Sequence, residues 1–519
     1  MPIRLPRKRF SSSRLLSHTG LGVFAVLQIA SPGSIFGFHS DRQAQTAWTV
    51  RQFLRGGPLL RYETPVFGPP WANPLEFPVY QWIVALLSRF SALSIETSGR
   101  IVSSLFGFAC LLVVGGVVRT ISGSMSLSYV ATFLMALSPV MTFWSHTVLI
   151  ETCSLFLVLA WLDQALRFVV TGRPFNAVMT VIVGALAAPT KMTTFVPGLG
   201  FFFVIIAASL LRPGDGAQMT RKALWRSLAC PFPALIAFVG WTTYLSHGST
   251  ESSLGSGSLR AQMFGTLHER LSDPNRTAAA AARMVNNTIG SALALALLLI
   301  VIGWQSTRRR THPLPTPPRT EGLHPRALSL TTGIIAIAGF AAFAVTPLVF
   351  FHVHVVHDYY AVEIAPYLVI SVTAMLAWLG QRNAKQASML VIGAVAVGTL
   401  CVARYVSEYA PRDRSSMLFS PEAIGEVQRR TTPDEVVVTQ GYLVDLAWAL
   451  DRRAYSLSFT ATVDDLLEAA QRTEDSGANV GLIIRPASTA DRNRLLSAGF
   501  SFTRSWNGLD YFFRQETAG

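Results

Sequence analysis

The sequence predicts an α-helical integral membrane protein of about 11 transmembrane helices, with interfacial helices in the first outer loop and a small α/β domain outside the membrane. Of its 519 residues, 50% are hydrophobic and 14% are charged, which is too apolar a composition for a soluble protein. The mean hydropathy of +0.39 agrees. Beyond residue 404 the apolar runs give way to short strand-like and helix-like segments. We therefore divide the chain into a transmembrane domain, 1–404, and an extracytoplasmic α/β domain, 405–519.

Apolar runs of membrane-spanning length define the first domain. They lie near 15–37, 98–119, 125–144, 149–168, 176–189, 192–211, 227–246, 285–304, 328–351, 361–380 and 387–404. The first run follows five basic residues and is long enough to remain as an uncleaved signal anchor. The four cysteines all lie within apolar runs, which is typical of small core residues without a disulfide partner.

The net charge of +14 is explained by membrane topology, because the basic residues cluster between the apolar runs. Nucleic acid is not expected as a partner, since no basic helix or known motif supports it. Placing the amino terminus in the cytoplasm puts the basic clusters on the inner side, including Arg167 with Arg173 and the run Arg308 to Arg310. With eleven spans, the carboxyl terminus is then extracytoplasmic. We expect a cytoplasmic linker at 307–325, and at 247–283 either a lid over an outer site or a plain connector.

The first outer loop, 38–82, combines acidic, basic and aromatic residues. Asp41 and Arg42 open it, and Arg61 and Glu76 follow among tryptophan and tyrosine residues. Aromatic rings suit the headgroup level of a membrane, and guanidinium groups bind phosphates. The apolar spacing predicts an interfacial helix over 42–55 and a second amphipathic piece over 77–90.

The C-terminal domain has alternating strand and helix patterns. Strands are predicted at 435–439, 454–459, 480–485 and 510–514, and helices at 422–430, 464–472 and 490–498. No glycine-rich phosphate loop follows a strand, so a nucleotide-binding role is not expected.

Two acids on the same predicted side are the candidate catalytic residues. Asp41 follows the first span, and Glu151 stands at the outer start of the fourth. A carboxylate at such a depth needs a partner or a water-filled cavity. One acid can take a proton from an attacking hydroxyl while the other orients it. For Asp41 the structural alternatives are a solvated loop acid paired with Arg42 and a cap of the following helix.

A third group of polar residues lies at 352–366, in the segment HVHVVHDYYAVEIAP. His357, Asp358, Tyr359 and Tyr360 can supply hydrogen bonds to a phosphate or a sugar. The three histidines with Asp358 are an alternative divalent-metal site, although their spacing matches no familiar zinc motif. An aromatic belt also explains the tyrosines. Lys191, in APTKMT between two spans, suits either a phosphate contact or ordinary interfacial snorkelling.

These segments together resemble the polyprenyl-phosphate-dependent GT-C glycosyltransferases, the superfamily of aminoarabinose transferases and protein O-mannosyltransferases. The similar segments are HSDRQAQTAWTVRQFLRGG, NPLEFPVYQWIVALLSRF, SPVMTFWSHTVLIETCSLFL, PTKMT and the HDYY that precedes AVEIAP. The resemblance covers roughly residues 15–379 and rests on the order and common sidedness of these motifs.

The resemblance implies a GT-C-like fold and a reaction in which a sugar leaves a polyprenyl phosphate and is attacked by an acceptor hydroxyl, with inversion. It implies Asp41 as general base, Glu151 as the acid of the second outer loop, and Lys191, His357, Tyr359 and Tyr360 facing the phosphate or the sugar. The sequence departs from the family at two positions. The usual acidic pair is here Asp41-Arg42, which makes Arg42 a phosphate-binding candidate, and Glu151 replaces a more usual aspartate.

We therefore expect a membrane glycosyltransferase of the cell envelope, in the bacterial inner membrane, that needs no cofactor. Its partners would be a polyprenyl-phosphate sugar donor, membrane lipids, and a lipid, glycan or protein acceptor. Beyond the two acids, the predicted substrate-binding set is Arg42, Arg61, Glu76, Lys191, His357, Asp358, Tyr359 and Tyr360. The alternatives are a secondary transporter, which would collect ionisable groups near the mid-bilayer, and a structural membrane protein with an external binding domain.

Overall fold

The computed structural model describes residues 9–31, 33–210, 221–246, 274–309, 328, 330–350, 353–354, 357–380, 386–414, 419–487 and 492–515. The predicted cytoplasmic linker and the predicted lid lie largely outside these residues. Within them the chain forms a helical bundle followed by one five-stranded sheet, which confirms the predicted fold class.

Helices dominate residues 9–404, and we number them in chain order. They are α1 Arg9–Ala30, α2 Ser40–Leu54, α3 Val79–Ser91, α4 Ile95–Ser122, α5 Met125–Leu137, α6 Pro139–Trp144, α7 Glu151–Thr171, α8 Pro174–Thr190, α9 Met192–Leu210, α10 Arg221–Ala229, α11 Phe232–Ser246, α12 Pro274–Ile289, α13 Ala292–Arg309, α14 Thr332–Val349, α15 Ala361–Gly380 and α16 Gln386–Arg404. A 3₁₀ turn, Asp358–Tyr360, leads into α15.

Seven of the described helical segments are long and apolar enough to cross a membrane, and the bent pair of α12 and α13 brings the number to eight if it is counted as one span. The seven are α4, α7, α9, α10 with α11, α14, α15 with its preceding turn, and α16 with the turns after it. Helices α5 and α8 are apolar but shorter, at 13 and 17 residues. The chain is a multi-pass membrane protein, and the number of eleven spans stays a prediction.

Two predicted spans differ from the helices that form. Helix α1 starts at Arg9 instead of residue 15, and it is not among the seven because polar residues fill its first half. The predicted span at 285–304 is not one straight helix, since α12 and α13 meet at 92°. The break falls at Gly290, whose φ is +82°, and a Cβ there would lie 2.3 Å from the backbone carbonyl carbon of Leu400. Only glycine allows both this conformation and this close approach to α16.

The first outer loop contains the two predicted helices, α2 and α3. Helix α2 is more buried than an interfacial helix in contact with lipid. Nearly all of its residues from 43 to 53 pack against protein. The reason is that the C-terminal domain covers it, as described below.

The C-terminal domain is a five-stranded sheet with helices packed on it. Its strands are β1 Val436–Gln440, β2 Ala454–Leu457, β3 Val480–Pro486, β4 Phe500–Trp506 and β5 Leu509–Arg514, in the order β2-β1-β3-β5-β4. Strands β2, β1 and β3 are parallel, and β5 and β4 join them antiparallel. The helices are α17 Pro421–Arg430, α18 Val444–Leu450, α19 Val463–Asp475 and α20 Arg492–Ser497.

The sequence prediction found four of these strands and three of these helices. It missed β4, whose second half, Arg504 to Trp506, lies at an exposed edge and lacks a buried alternating pattern. It also missed α18, which has only seven residues and is too short for a helical period to be distinguished. This short helix carries a residue that matters for the candidate site.

The first outer loop and the C-terminal domain are joined by backbone and side-chain contacts. The N–H of Ala454 donates to the carbonyl of Pro65 at 2.7 Å, and the N–H of Ser456 donates to the carbonyl of Val66 at 3.0 Å. The loop therefore extends the sheet beyond its edge strand β2. On α2, the guanidinium of Arg51 lies 3.5 Å from the ring centroid of Trp448 and 2.7 Å from Asp451. These contacts hold the C-terminal domain against α2 and the loop that follows it.

Candidate active site

A buried lysine between two glutamates lies where α7, α8, α9 and α15 meet. Lys191, in the break between α8 and α9, forms ion pairs with Glu151 at the start of α7 and with Glu363 in the first turn of α15. Its Nζ lies 2.6 Å from Glu363 Oε1, which also accepts a hydrogen bond of 3.0 Å from Thr193. All three charged side chains are buried. Burial of these charges is tolerable because each is paired.

Each carboxylate of this group has one oxygen left over. Glu151 Oε1 and Glu363 Oε2 are buried and have no hydrogen-bond partner among the described residues. Two carboxylates against one ammonium give the group a net charge of about −1 when all three are ionised. The free oxygens are therefore acceptors available to hydroxyl or cationic groups.

Two tyrosines cover the lysine. Lys191 Nζ lies 4.1 Å from the ring centroid of Tyr360 and 5.6 Å from that of Tyr359. The rings of Tyr359 and Tyr360 stack at 4.9 Å, and His357 stacks on Tyr359 at 5.1 Å. We call Glu151, Lys191, Tyr359, Tyr360 and Glu363 the lysine cluster. The 3₁₀ turn before α15 thus brings the predicted HDYY motif against the predicted Lys191 and Glu151.

His357 is neutral at neutral pH. The pKa of its imidazole is lowered to about 4. Burial is the largest cause, and the nearby charges of His39, Arg42 and Lys191 contribute to the decrease. The ring can therefore both donate and accept a hydrogen bond, but it adds no positive charge for a phosphate.

Arg42 connects the first outer loop to the lysine cluster. Its guanidinium pairs with Glu76 and donates to Gln45 at 2.6 Å. It also interacts electrostatically with Glu151, Tyr359 and Tyr360. Glu76 is held by Tyr62, whose hydroxyl donates to the Glu76 carbonyl at 2.8 Å and accepts the Glu76 N–H at 3.1 Å. Arg42 and Lys191 thus supply two cations to one region.

Asp358 is tied to two basic residues. His39 Nε2 lies 3.2 Å from Asp358 Oδ1, and Arg412 donates to Asp358 Oδ2 at 2.8 Å. His39 adopts a left-handed conformation, with φ of +55°, immediately before α2. Asp358 therefore connects the start of α2, the turn before α15 and the segment after α16.

Asp41 has different immediate partners from Glu151. Its carboxyl group lies against that of Asp445 in α18, and it accepts hydrogen bonds from the backbone N–H groups of Val444 and Asp445. Burial raises the pKa of Asp41 to about 8, and the negative charge of Asp445 contributes to the increase. Tyr442 interacts with both Asp41 and Arg42, so the two environments are adjacent.

Arg61 is separate from these groups. It is exposed, and its guanidinium lies 5.3 Å from the ring centroid of Tyr244 in α11. Among the described residues it makes no contact with the lysine cluster. It lies beside the exposed ring of Tyr244 instead.

Several residues of the region were not predicted from the sequence. Glu363 has a readable signal, since it is a carboxylate inside the apolar segment AVEIAP directly after HDYY. Asp445, Tyr442 and Arg412 had none, because their positions depend on how the C-terminal segment folds back on α2.

The histidine-rich segment lies partly within the described residues, which include His354 and His357. Among the described residues, no group of three or more histidine, cysteine, aspartate or glutamate side chains could hold a metal ion. His352, one of the three predicted ligands, lies outside the described residues. The metal alternative therefore stays a prediction.

An apolar cavity of about 270 Å³ lies further along the bundle, away from the charged residues. It is lined by α12, α13, α15 and α16, with Leu295, Val372, Leu376 and Val397 among its residues. Val372 is nine residues beyond Glu363 on α15, which is about 14 Å along the helix axis. The cavity is suited to binding a hydrocarbon chain, and its lining side chains are apolar and cannot catalyse a reaction.

Comparison with known proteins gives similarity in structure only. No protein-family model matches the sequence, and no curated protein matches it. Among solved structures, ArnT from Cupriavidus metallidurans bound to undecaprenyl phosphate has a TM-score of 0.57 at 14% identity. The match covers 95% of this chain and 97% of ArnT.

Two further solved structures have similar scores. The oligosaccharyltransferase AglB from Archaeoglobus fulgidus, in complex with an inhibitory peptide and a dolichol-phosphate, has a TM-score of 0.52 at 12% identity, over 96% of this chain and 74% of AglB. The arabinofuranosyltransferase AftD from mycobacteria has a TM-score of 0.53 at 13% identity, over 97% of this chain and 42% of AftD. All three are GT-C glycosyltransferases. The chain therefore has the GT-C-like fold that the motif resemblance predicted.

Proposed function

We propose that this protein is an inverting glycosyltransferase that moves a sugar from a polyprenyl-phosphate donor to an acceptor hydroxyl at the extracytoplasmic face of the membrane. The observation that carries the proposal is the lysine cluster with Arg42 beside it, at one end of the helices of a GT-C-like fold. Two cations, two tyrosines and two unused carboxylate oxygens are the groups needed to hold a sugar phosphate.

The donor phosphate binds to Arg42 and Lys191. Both lie close to the phenols of Tyr359 and Tyr360, which donate further hydrogen bonds to phosphate oxygens. As the bond between the anomeric carbon and the phosphate oxygen breaks, its electron pair and negative charge pass to the phosphate. Cations already fixed at that position stabilise the departing charge. The apolar cavity between α12 and α16 suits the isoprenoid chain.

The acceptor oxygen forms the new bond to the anomeric carbon from the side opposite the phosphate. A single displacement of this kind inverts the configuration. The proton of the acceptor hydroxyl passes to the Asp41 carboxylate, which acts as general base. Glu151, together with Glu363, accepts hydrogen bonds from sugar hydroxyls through its free oxygen and so orients the sugar.

The remaining predicted residues have supporting roles. Glu76 and Asp358 hold Arg42 and the turn before α15, respectively, and His357 donates a neutral hydrogen bond to the substrate. Arg61, exposed beside Tyr244, contacts lipid headgroups. The acceptor is a lipid, a glycan or a protein of the cell envelope, and the membrane is the bacterial inner membrane.

The donor class is tested with the purified full chain in liposomes. We expect labelled sugar to move to acceptors in a membrane extract from undecaprenyl-phosphate sugars and not from the corresponding nucleotide sugars. Unlabelled undecaprenyl phosphate should inhibit the transfer, whereas undecaprenol should not, because only the former carries the charge that Arg42 and Lys191 bind. Transfer from nucleotide sugars, or none from any of a panel of lipid-phosphate sugars, would contradict the proposal.

The sidedness is tested with single introduced cysteines. The four native cysteines are buried, so the background reaction with a membrane-impermeant maleimide should be low. Gln471→Cys, on an exposed position of α19, should be labelled in intact cells. Arg173→Cys, exposed in a loop predicted to be cytoplasmic, is the matched control and should be labelled only after permeabilisation. The reverse pattern would refute an extracytoplasmic C-terminal domain.

A further inference from the structure

Asp41 and Asp445 form a pair of carboxyl groups across the contact between α2 and the C-terminal domain. We call them the aspartate pair. Asp445 is only 3% exposed. Its Oδ2 accepts a hydrogen bond of 2.7 Å from Ser40, and its Oδ1 accepts one of 2.9 Å from the N–H of Leu446. Asp41 in turn accepts hydrogen bonds from the N–H groups of Val444 and Asp445.

We propose that Asp445 is a positioning residue of the transfer reaction. This inference rests on the proposed function. The C-terminal domain places its carboxyl against that of Asp41 and so controls whether Asp41 is free to accept the acceptor's proton. Asp445 thereby supplies a second carboxyl group beside Asp41 from a segment about 400 residues away.

Two carboxyl groups in contact cannot both be ionised at low cost. A proton on Asp41 relieves the repulsion between the two carboxyl groups and lets Asp41 donate a hydrogen bond to Asp445. This agrees with the rise in the pKa of Asp41 to about 8, to which burial contributes most and Asp445 next. The other ionisable groups nearby are Tyr442, whose pKa is raised by burial, and Arg42, which is paired with Glu76.

The contacts around the aspartate pair fix its geometry. Backbone hydrogen bonds join residues 65 and 66 to β2, and Arg51 is held between Trp448 and Asp451 at the far end of α18. Asp445 is thus presented to Asp41 by a docked helix and not by a free loop. In the resting state Asp41 is a hydrogen-bond donor to Asp445, and it becomes a base only after losing that proton to solvent.

The experiment is a pH–rate profile of lipid-dependent transfer by the full chain. The parent protein should gain activity as the pH rises, with an apparent pKa near 8. In Asp445→Asn the negative charge is lost. The amide oxygen can keep the hydrogen bond from the N–H of Leu446, and the NH2 group takes the place of Oδ2, where it can donate to Ser40 or to Asp41. The acid side of the profile should therefore move down by about one pH unit, so that the rate at pH 6.5 relative to pH 8.5 rises about sixfold.

Asp451→Asn is the matched control. Asp451 ends the same helix and carries the ion pairs with Arg51 and Arg55, but it is not part of the aspartate pair. This variant should weaken docking and leave the position of the pH profile unchanged. A shifted profile in Asp451→Asn, or an unshifted one in Asp445→Asn, would overturn the inference. If Asp445→Asn does not fold, the pH–rate profile is measured with Asp445→Ser, which also removes the charge. Absence of transfer by the parent is a different outcome and refutes the proposed function itself.

A second readout does not depend on activity. Between the ordinary carboxyl pKa of 3.8 and about 8, folded Asp41 holds a proton that the unfolded chain has lost. Stability should therefore fall as the pH rises through this window and stop falling above it. The decrease in unfolding temperature from pH 6 to pH 9 should be smaller in Asp445→Asn than in the parent. Equal decreases would show that Asp445 does not act on Asp41.

Discussion

Replacing Lys191 with methionine is expected to abolish transfer and to destabilise the protein strongly. Methionine keeps the length of the side chain but removes the charge that pairs directly with both Glu151 and Glu363 in the lysine cluster. Both carboxylates are fully buried. Removing one partner from a buried ion pair costs about 3–5 kcal/mol because it leaves an uncompensated charge. The unfolding temperature in detergent and the rate of lipid-dependent transfer are the two measurements.

The variant can be partly repaired, and the repair separates stability from function. Adding Glu151→Gln and Glu363→Gln to Lys191→Met leaves the cluster uncharged, so the unfolding temperature should recover. Transfer should not recover, because the cation for the departing phosphate is still missing. Recovered transfer in this triple variant would show that Lys191 only balances charge.

An exposed ion pair provides the control for loss of a cation. Arg494 pairs with Asp464, and their side chains are 57% and 64% exposed. Arg494→Met should change stability by less than about 1 kcal/mol, since exposed pairs contribute little. A similar loss in both variants would mean that burial of the lysine cluster does not determine its importance.

Much of the helical bundle could be predicted from the sequence, because lipid imposes a simple rule on composition and length. Runs of apolar residues located α4, α7, α9, α15 and α16 to within a few residues. The break between α12 and α13 could not be predicted in the same way. A single glycine does not break a helix by itself, and at Gly290 it does so because the backbone at Leu400 approaches closely.

The residues of the candidate site also differ in whether the sequence could predict them. Glu151, Lys191 and the tyrosines of HDYY were predicted together because each ends an apolar run on one predicted side. Their direct contacts agree with that reasoning. Arg61 was expected on the same side and yet lies beside Tyr244, because sidedness does not determine which residues of a long loop turn inward. Asp445 lay beyond such reasoning, since its contact with Asp41 depends on the docking of a whole domain.

Replacing Asp41 with asparagine tests the role of the general base most directly. Asparagine has nearly the same shape as the protonated carboxyl, so its oxygen can still accept the N–H groups of Val444 and Asp445 while its amide donates to the Asp445 carboxylate. Docking of the C-terminal domain should therefore survive. Transfer should fall by about 10²–10⁴-fold, the usual contribution of a general base, and the loss should persist at every pH.

Two further variants make the result unambiguous. Asp41→Ala removes both the base and the hydrogen bonds to α18, so it should lose transfer and also expose the C-terminal domain to protease. Asp451→Asn weakens the same contact from the other end of α18 while leaving Asp41 in place, so it should retain transfer. If Asp41→Asn keeps both stability and transfer while Asp41→Ala loses both, Asp41 is an anchor for the C-terminal domain, and the proton of the acceptor must pass to another carboxylate, with Glu151 the nearest choice in the lysine cluster.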